Sequence, residues 1–569
     1  MNKLRSIIIL LTILWHLGAV AQSNIRIIAT SDVHGNYLPY DFIYQKPWEG
    51  GLSRVATYVK EQRKALGEEN VLLLDNGDIL QGQPTAYYYN YMDSAEHFCA
   101  SALNYLRYDV GGIGNHDVET GHAVYDRWVR QCHFPMVCAN AIDTKTGKTY
   151  WKPYTIVERN GVRIAVLGLL TPAIPQWLPE NLWAGLRFED MVVTARQWMP
   201  ILREKEKADI VVGLFHSGVG SATAVGQLKE NASLQVARQV PGFDVIFCGH
   251  DHRAANIQIV NVAGDTVVVL NPGANAFNIA QADITVNKKV NVKGDIVKIE
   301  ALVPDADYLS FFKKQYDTVN AFTQEKIGRL ETRLETRSAY FGSSAFIDLI
   351  HDMQLQLTKA DLSFAAPLSL DATIEPGYIR VSDMFNLYKF ENLLYTMSLS
   401  GKEIKNYLEY SYDKWVRTMD SSRDTMLYFR KNAEKISEPW QRLQNVSYNF
   451  DCAGGLIYTV DLRKTKGQRI TIKRFADGRN FDLDAKYKVA VNSYRGNGGG
   501  GLLTEGAGIA KDSLSSRILW STERDLRYYL MQTIRAEGTL CPKAKNEWKF
   551  IPASWVKKAR LRDERILFQ

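Results

Sequence analysis

Five short stretches of this chain carry residue types that hold metal ions. They are Ser31-Asp32-Val33-His34-Gly35-Asn36, Asp75-Asn76-Gly77-Asp78, Gly114-Asn115-His116-Asp117, His216-Ser217-Gly218 and Gly249-His250-Asp251-His252. Imidazoles, carboxylates and one carboxamide make a mixed nitrogen and oxygen set of the kind that takes Zn, Mn, Fe or Co. Asp32, His34, Asp78, Asn115, His216, His250 and His252 are seven candidate ligands. With Asp78 shared, each of two ions receives four protein contacts and keeps room for water. Such a pair activates water and clamps a phosphoryl group for in-line displacement. His116 directly follows a candidate ligand, so its side chain points elsewhere. It is placed to face a substrate, stabilising phosphoryl charge or protonating a leaving oxygen. Glu119, three residues on, is placed to hold that imidazole.

Each stretch begins where a short apolar run ends. Ile25–Thr30, Val71–Leu74, Tyr108–Ile113, Ile210–Phe215 and Val245–Cys248 read as buried strands, with helices such as Leu52–Leu66 and Met191–Lys207 between them. Ligands of open α/β sheets bind beyond the carboxyl ends of the strands, so these five tips can converge. Val162–Leu170 has the same texture but ends in Thr171-Pro172, so a ligand-bearing tip is not automatic. The alternation runs from Ile25 to about Pro304 and predicts a layered α/β domain. Over 305–337, Leu309, Phe312, Tyr316, Val319 and Phe322 recur at helical spacing amid charges. That pattern predicts one long, solvent-bathed linker helix joining two domains. Residues 338–569 mix helices (Gly342–Thr358, Gly401–Trp415), strands (Leu456–Asp461, Tyr487–Asn492) and the glycine run Gly498–Gly501.

The 569 residues suffice for two or three domains, and 46% hydrophobic with 23% charged residues is ordinary for a globular chain. Sixty-nine basic residues against 62 acidic ones, interleaved, give no stripe for a nucleic acid duplex. Six cysteines without a CxxC pair exclude zinc ribbons and thioredoxin-type redox sites. Lys3 and Arg5, the apolar run Ile7–Leu14 and Ala19-Val20-Ala21 read as a secretory leader over 1–21. The alternative, a membrane anchor, is disfavoured by the short apolar run and by His16 within it. No later segment is apolar enough to span a membrane. The chain is therefore expected outside the cytoplasm, in the periplasm of a Gram-negative cell or otherwise secreted. There Cys132 and Cys138 could pair or all six thiols stay free.

TSDVHGN, DNGD, GNHD, FHSG and GHDH resemble, in this order, the five motifs of the calcineurin-like metallophosphoesterases. Phe385–Glu409, Tyr448–Asp451 (YNFD) and Asn492–Gly500 (NSYRGNGGG) resemble the substrate-binding domain of the 5'-nucleotidase family. DNGDILQGQP, ANAID, YNFD and the YRxxGG loop are similar to the bacterial periplasmic 2',3'-cyclic-nucleotide 2'-phosphodiesterase/3'-nucleotidase group within it.

The resemblance implies a four-layer αββα catalytic domain over 22–304, a linker helix over 305–337 and a mixed α/β substrate domain over 338–569. It implies two divalent ions (Zn, Mn, Fe, Co or Mg), one on Asp32, His34, Asp78 and His252, the other on Asp78, Asn115, His216 and His250. It implies His116 as the catalytic histidine, and Phe390 and Tyr494 as rings that sandwich a nucleobase. It also implies a domain movement, hinged near 305–337, that carries bound substrate to the metals. Stacking on aromatic rings suits any base.

Three departures stand out. Ala365–Leu370 lacks the phosphate-holding Arg of 5'-nucleotidases, Gly500 replaces their ribose-gripping Asp, and Glu119 stands where many use Asp. The first two losses fit a ribose whose hydroxyls carry phosphate. The activity implied is hydrolysis of 2',3'-cyclic nucleotides to 3'-nucleotides, then to nucleoside and phosphate. The alternatives are a 5'-nucleotidase or nucleotide-sugar diphosphatase, a nuclease, and, in another class, a non-catalytic nucleotide-binding surface protein.

Overall fold

A computed structural model describes residues 23–93, 95–221, 229–287 and 289–569. The predicted leader over 1–21 lies outside them. The chain divides into two compact units: one holds most of the chain up to Tyr316, and the other runs from Asp317 to Gln569, with residues 42–45 and 175–180.

Twelve strands form the two main sheets of the first unit. In chain order they are β1 (Ser23–Thr30), β2 (Val71–Asp75), β3 (Val110–Gly112), β4 (Met136–Val137), β5 (Tyr154–Arg159), β6 (Val162–Leu170), β7 (Ile210–His216), β8 (Val245–Cys248), β9 (Ala255–Val260), β10 (Thr266–Asn271), β11 (Asn278–Val286) and β12 (Val290–Lys298). One sheet has the order β12-β11-β1-β2-β3-β4, the other β9-β10-β8-β7-β6-β5. β1 to β4 pair in parallel, as do β6, β7, β8 and β10, while β5, β9, β11 and β12 pair antiparallel.

The parallel strands are covered on both faces, which is why they read as unbroken apolar runs: every residue of β7 is buried. Ile25, Ile27 and Ala29 of β1 and Leu72 and Leu74 of β2 share one core with Ile164 and Val166 of β6 and Val212 and Leu214 of β7. The two sheets therefore pack face to face. Helices cover the outer faces. α1 (Leu52–Leu66) lies against β2, burying Leu52, Val55, Ala56 and Val59 at helical spacing. α2 is the single turn Asn115–Val118. α3 (Met191–Pro200) and α4 (Ser233–Gln239) cover the second sheet through Met191, Ala195, Met199 and Val236. Asp190 caps α3 by accepting from the amides of Val192 and Val193 at 2.9 and 3.0 Å. The layers run helix, sheet, sheet, helix.

The 305–337 segment is not one linker helix. It forms α5 (Ala306–Phe311), α6 (Lys313–Gln324), then strands Lys326–Leu330 and Leu334–Glu335. Phe312 leaves helical geometry (φ −96°, ψ 18°) and breaks the helix. Nor is the stripe bathed in solvent. Tyr308, Phe312 and Val319 are fully buried, the Tyr308 hydroxyl donates to the Tyr37 carbonyl at 3.0 Å, and the Phe312 ring lies 4.9 Å from Phe98. Helical spacing of apolar residues shows that a face exists; it does not show what covers it.

The second unit centres on a five-stranded sheet. Its strands are β13 (Leu362–Ala365), β14 (Leu394–Ser400), β15 (Cys452–Gly454), β16 (Lys486–Asn492) and β17 (Ile518–Ser521), in the order β15-β13-β16-β14-β17. α7 (Ala345–Thr358) and α8 (Gly401–Trp415) pack on it. Ser400 and Glu403 form a capping box at the start of α8. All six cysteines are free, Cys132 and Cys138 included. Among the described residues no helix is long and apolar enough to cross a membrane.

Candidate metal centre

The carboxyl ends of β1, β2, β3, β7 and β8 bring the predicted ligands together. Donor atoms of Asp32, His34, Asp78 and His252 all lie within 4.8 Å of one another, and so do those of Asp78, His216 and His250. Asp78 belongs to both groups. His34 Nε2 and His252 Nε2 are 2.9 Å apart, His252 Nε2 is 3.3 Å from Asp32 Oδ1, and His216 Nε2 is 3.1 Å from Asp78 Oδ2.

Whether these residues suit cations can be read from what they leave unpaired. Asn115 Oδ1 is buried without a hydrogen bond, and Asp78 Oδ2 and His216 Nε2, also buried, have no hydrogen-bond partner besides facing each other at 3.1 Å. Burying such atoms unpaired is costly, and divalent ions remove the cost. His216 Nδ1 faces the Asn76 carbonyl at 2.7 Å and His34 Nδ1 the Gln81 carbonyl at 3.3 Å. A carbonyl accepts only, so the proton sits on Nδ1 and the Nε2 lone pair faces inward, as metal-binding histidines require. Burial lowers the His34 pKa to about 4, keeping that ring neutral. Burial also disfavours charge on His216, but the Asp78 carboxylate outweighs it and raises its pKa to about 9, so a cation held there would have to displace the Nε2 proton.

The backbone is bent to make this cluster. Asp32, His34, Asp78, His250 and His252 have φ of 53°, 50°, 53°, 70° and 57°, in the left-handed region. Each costs about 1–3 kcal/mol and persists only where the surroundings enforce it. Close packing of the tips is one such constraint. A Cβ on Gly114 would lie 2.2 Å from Asp78 N, and one on Gly249 would lie 2.0 Å from Ser31 Oγ.

Asp117 ties two tips together. Its Oδ1 accepts from the amides of Ile79 and Leu80, both at 3.0 Å, and its Oδ2 from those of Asp78 and Gly114, at 2.9 and 2.8 Å. His116 donates its amide to Asp78 Oδ1 at 2.7 Å, while its side chain meets Glu119 Oε2 through Nδ1 at 2.5 Å. Its ring centroid lies 5.5 Å from that of His34. Burial opposes charge on His116, yet the Asp78 and Glu119 carboxylates raise its pKa to about 10. Cations on Asp78 would offset that carboxylate's share.

In the second unit Phe390 and Tyr494 are half-buried, and one ring touches both. Tyr448 lies edge-on to each, with centroids 5.8 Å from Phe390 and 6.3 Å from Tyr494. Gly500 has φ 74°, and a Cβ there would fall 2.6 Å from Asn449 Oδ1.

Two family matches cover most of the chain. Residues 25–254 match the calcineurin-like phosphoesterases, and residues 325–505 match the 5'-nucleotidase C-terminal domain. The chain is a metallophosphoesterase of the 5'-nucleotidase family. This metallophosphoesterase is 27% identical to the 2',3'-cyclic-nucleotide 2'-phosphodiesterase/3'-nucleotidase of Salmonella typhimurium, over 94% of its length and 89% of that protein's. It is 26% identical to the trifunctional nucleotide phosphoesterase protein YfkN of Bacillus subtilis, over 94% of its own length but only 39% of that protein. A candidate 5'-nucleotidase of Staphylococcus aureus shares the fold with a TM-score of 0.74 at 22% identity, over 93% of this chain and 100% of that one. The family uses two divalent ions, and the donor set here suits two.

Sequence reasoning missed three supporting side chains. Asp117 stands inside the GNHD stretch and Tyr448 inside YNFD, so both were visible without their contacts. Glu230, whose Oε1 pairs with His250 Nε2 at 2.9 Å, follows no motif, and only tertiary contact reveals it.

Proposed function

We propose that this metallophosphoesterase is exported, that it opens 2',3'-cyclic nucleotides to 3'-nucleotides, and that it then releases nucleoside and phosphate. The phosphoesterase chemistry rests on the two candidate ligand groups sharing Asp78, with Asn115 Oδ1 buried and unpaired beside them. Two ions, when bound, supply Lewis acidity to the phosphoryl oxygens and to the attacking water. Asp32, His34, Asp78 and His252 would hold one, and Asp78, Asn115, His216 and His250 the other. Water forms a new bond to phosphorus while the bond to the 2' oxygen breaks. His116, oriented by Glu119, gives that oxygen its proton and is recharged from solvent. A second attack breaks the bond to the 3' oxygen. Phe390 and Tyr494, with Tyr448 beside them, hold the base by stacking.

Preference for the cyclic ester is supported by the absence of an Arg in Ala365–Leu370 and by Gly500. A side chain at Gly500 that could accept from free ribose hydroxyls would have to displace Asn449 Oδ1 and Arg495 Nη1 and adopt left-handed backbone. In a substrate panel scored for released phosphate and nucleoside, kcat/KM for 2',3'-cyclic AMP should exceed that for 5'-AMP. The reverse order would leave the 5'-nucleotidase reading standing, a name that a Vibrio cholerae relative carries at 24% identity over 68% of this chain.

Export rests on Lys3, Arg5, the run Ile7–Leu14 and Ala19-Val20-Ala21. The mature protein should be recovered from the periplasm or medium beginning at Gln22. A cytoplasmic protein that keeps Met1 would refute export.

A further inference from the structure

The guanidinium of Arg495 sits between the two segments that carry Tyr448 and Tyr494. Nε donates to Asp451 Oδ1 and Oδ2 at 3.2 and 3.1 Å. Nη2 donates to Asp451 Oδ1 at 2.9 Å and to the Tyr448 carbonyl. Nη1 donates to Asn449 Oδ1 at 2.8 Å and to the Gly499 carbonyl at 3.2 Å. The same guanidinium carbon lies 5.1 Å from the Tyr494 ring centroid. Asp451 is fixed in turn by the Tyr407 hydroxyl, and its carbonyl accepts from Ser411 Oγ at 2.8 Å. Side chains of Arg495 and Asp451 are only 1% and 2% exposed.

Burying an ion pair costs desolvation energy, so this one is weak evidence of a device for stability alone. What it does geometrically is specific. A planar fork with five N–H groups joins the 448–451 segment to the 494–500 loop, and a point charge on a flexible stem cannot span the same acceptors. Asn449 is fixed through Oδ1, and that bond fills the space where a Cβ on Gly500 would stand.

From this we infer that Arg495, braced by Asp451 and Asn449, is a positioning residue that presets Tyr448 and Tyr494 for a nucleobase before substrate arrives. The inference rests on the base-stacking reading above. Preset rings spare the substrate the entropy of ordering them, so losing the brace weakens binding more than chemistry.

The test is the full-length Arg495→Lys protein assayed on 2',3'-cyclic AMP and on the base-free ester bis(4-nitrophenyl) phosphate. KM for the nucleotide should rise about tenfold, the scale of one base-stacking contact, with kcat within about threefold and the base-free ester moving less than about twofold. Tyr494→Ala, run alongside, separates the two ideas. If it raises the nucleotide KM while Arg495→Lys does not, the brace is overturned and stacking stands. If neither variant moves that KM, stacking itself is refuted. Equal kcat losses on both substrates in Arg495→Lys would mark a purely structural role and also overturn the brace. Should Arg495→Lys fail to fold, Asn449→Ala removes an uncharged member of the same brace. It should show the same split at about threefold, and an unchanged nucleotide KM there would overturn the inference.

Discussion

Asp78→Asn should strip the enzyme of both ions and lower kcat by about 10³-fold or more. The carboxylate belongs to both donor groups, and no other described residue does. Replacing it with a carboxamide keeps the shape but removes the one negative charge common to the two sites. Two ions contribute several kcal/mol of charge stabilisation at phosphorus, and each 1.36 kcal/mol is a factor of ten. His216, whose pKa is raised to about 9 through Asp78, should become easier to deprotonate in this variant. That change does not restore a site that has lost its shared oxygen. Elemental analysis checks the point: two ions per chain in the parent, with occupancy and turnover lost together in the variant. A fully active parent with at most one ion would end the two-ion account, as would an Asp78→Asn protein that keeps both ions and its rate.

His116→Ala should behave differently, losing about 10²–10⁴-fold in kcat while both ions stay bound. The reason lies in how His116 meets the site. Its amide, not its ring, donates to Asp78, and alanine keeps that amide. Its ring is engaged by Glu119, which no donor group includes. Burial opposes charge on the ring, but the Asp78 and Glu119 carboxylates raise its pKa above that of an ordinary histidine, and with cations on Asp78 the Glu119 carboxylate is left to hold the proton. The sign of the pH dependence follows. Activity that needs imidazolium is full below its pKa and falls as pH rises through it, and that limb should vanish in His116→Ala. Loss of an ion in this variant would reassign His116 as a ligand. An unchanged rate would remove it from the mechanism.

Much of the site is local in origin, and so it was legible. Metal chemistry demands particular residue types, and a buried parallel strand demands an unbroken apolar run. Where one feature follows directly on the other, as at Ile25–Asp32 or Val245–His252, seven candidate ligands and the strands that carry them can be read in order. The layered α/β character of the first unit is legible for the same reason. Helical spacing was less informative over 305–337. It marked Phe312 and Val319 correctly as members of a face, yet both are fully buried, and Phe312 packs on Phe98, more than 200 positions away, which no local spacing records.

The sequence by itself determined which atoms are available for chemistry, because ligand identity and strand texture are properties of neighbouring residues. Only the tertiary structure decided how those atoms are aimed. It bends five candidate ligands into left-handed backbone, joins two tips through Asp117, sets Tyr448 against both Phe390 and Tyr494, and closes the space at Gly500 with Asn449 and Arg495. Each of these depends on groups brought together from distant parts of the chain. A strained backbone and a buried charge persist only when such distant contacts hold them in place, and no local pattern records that.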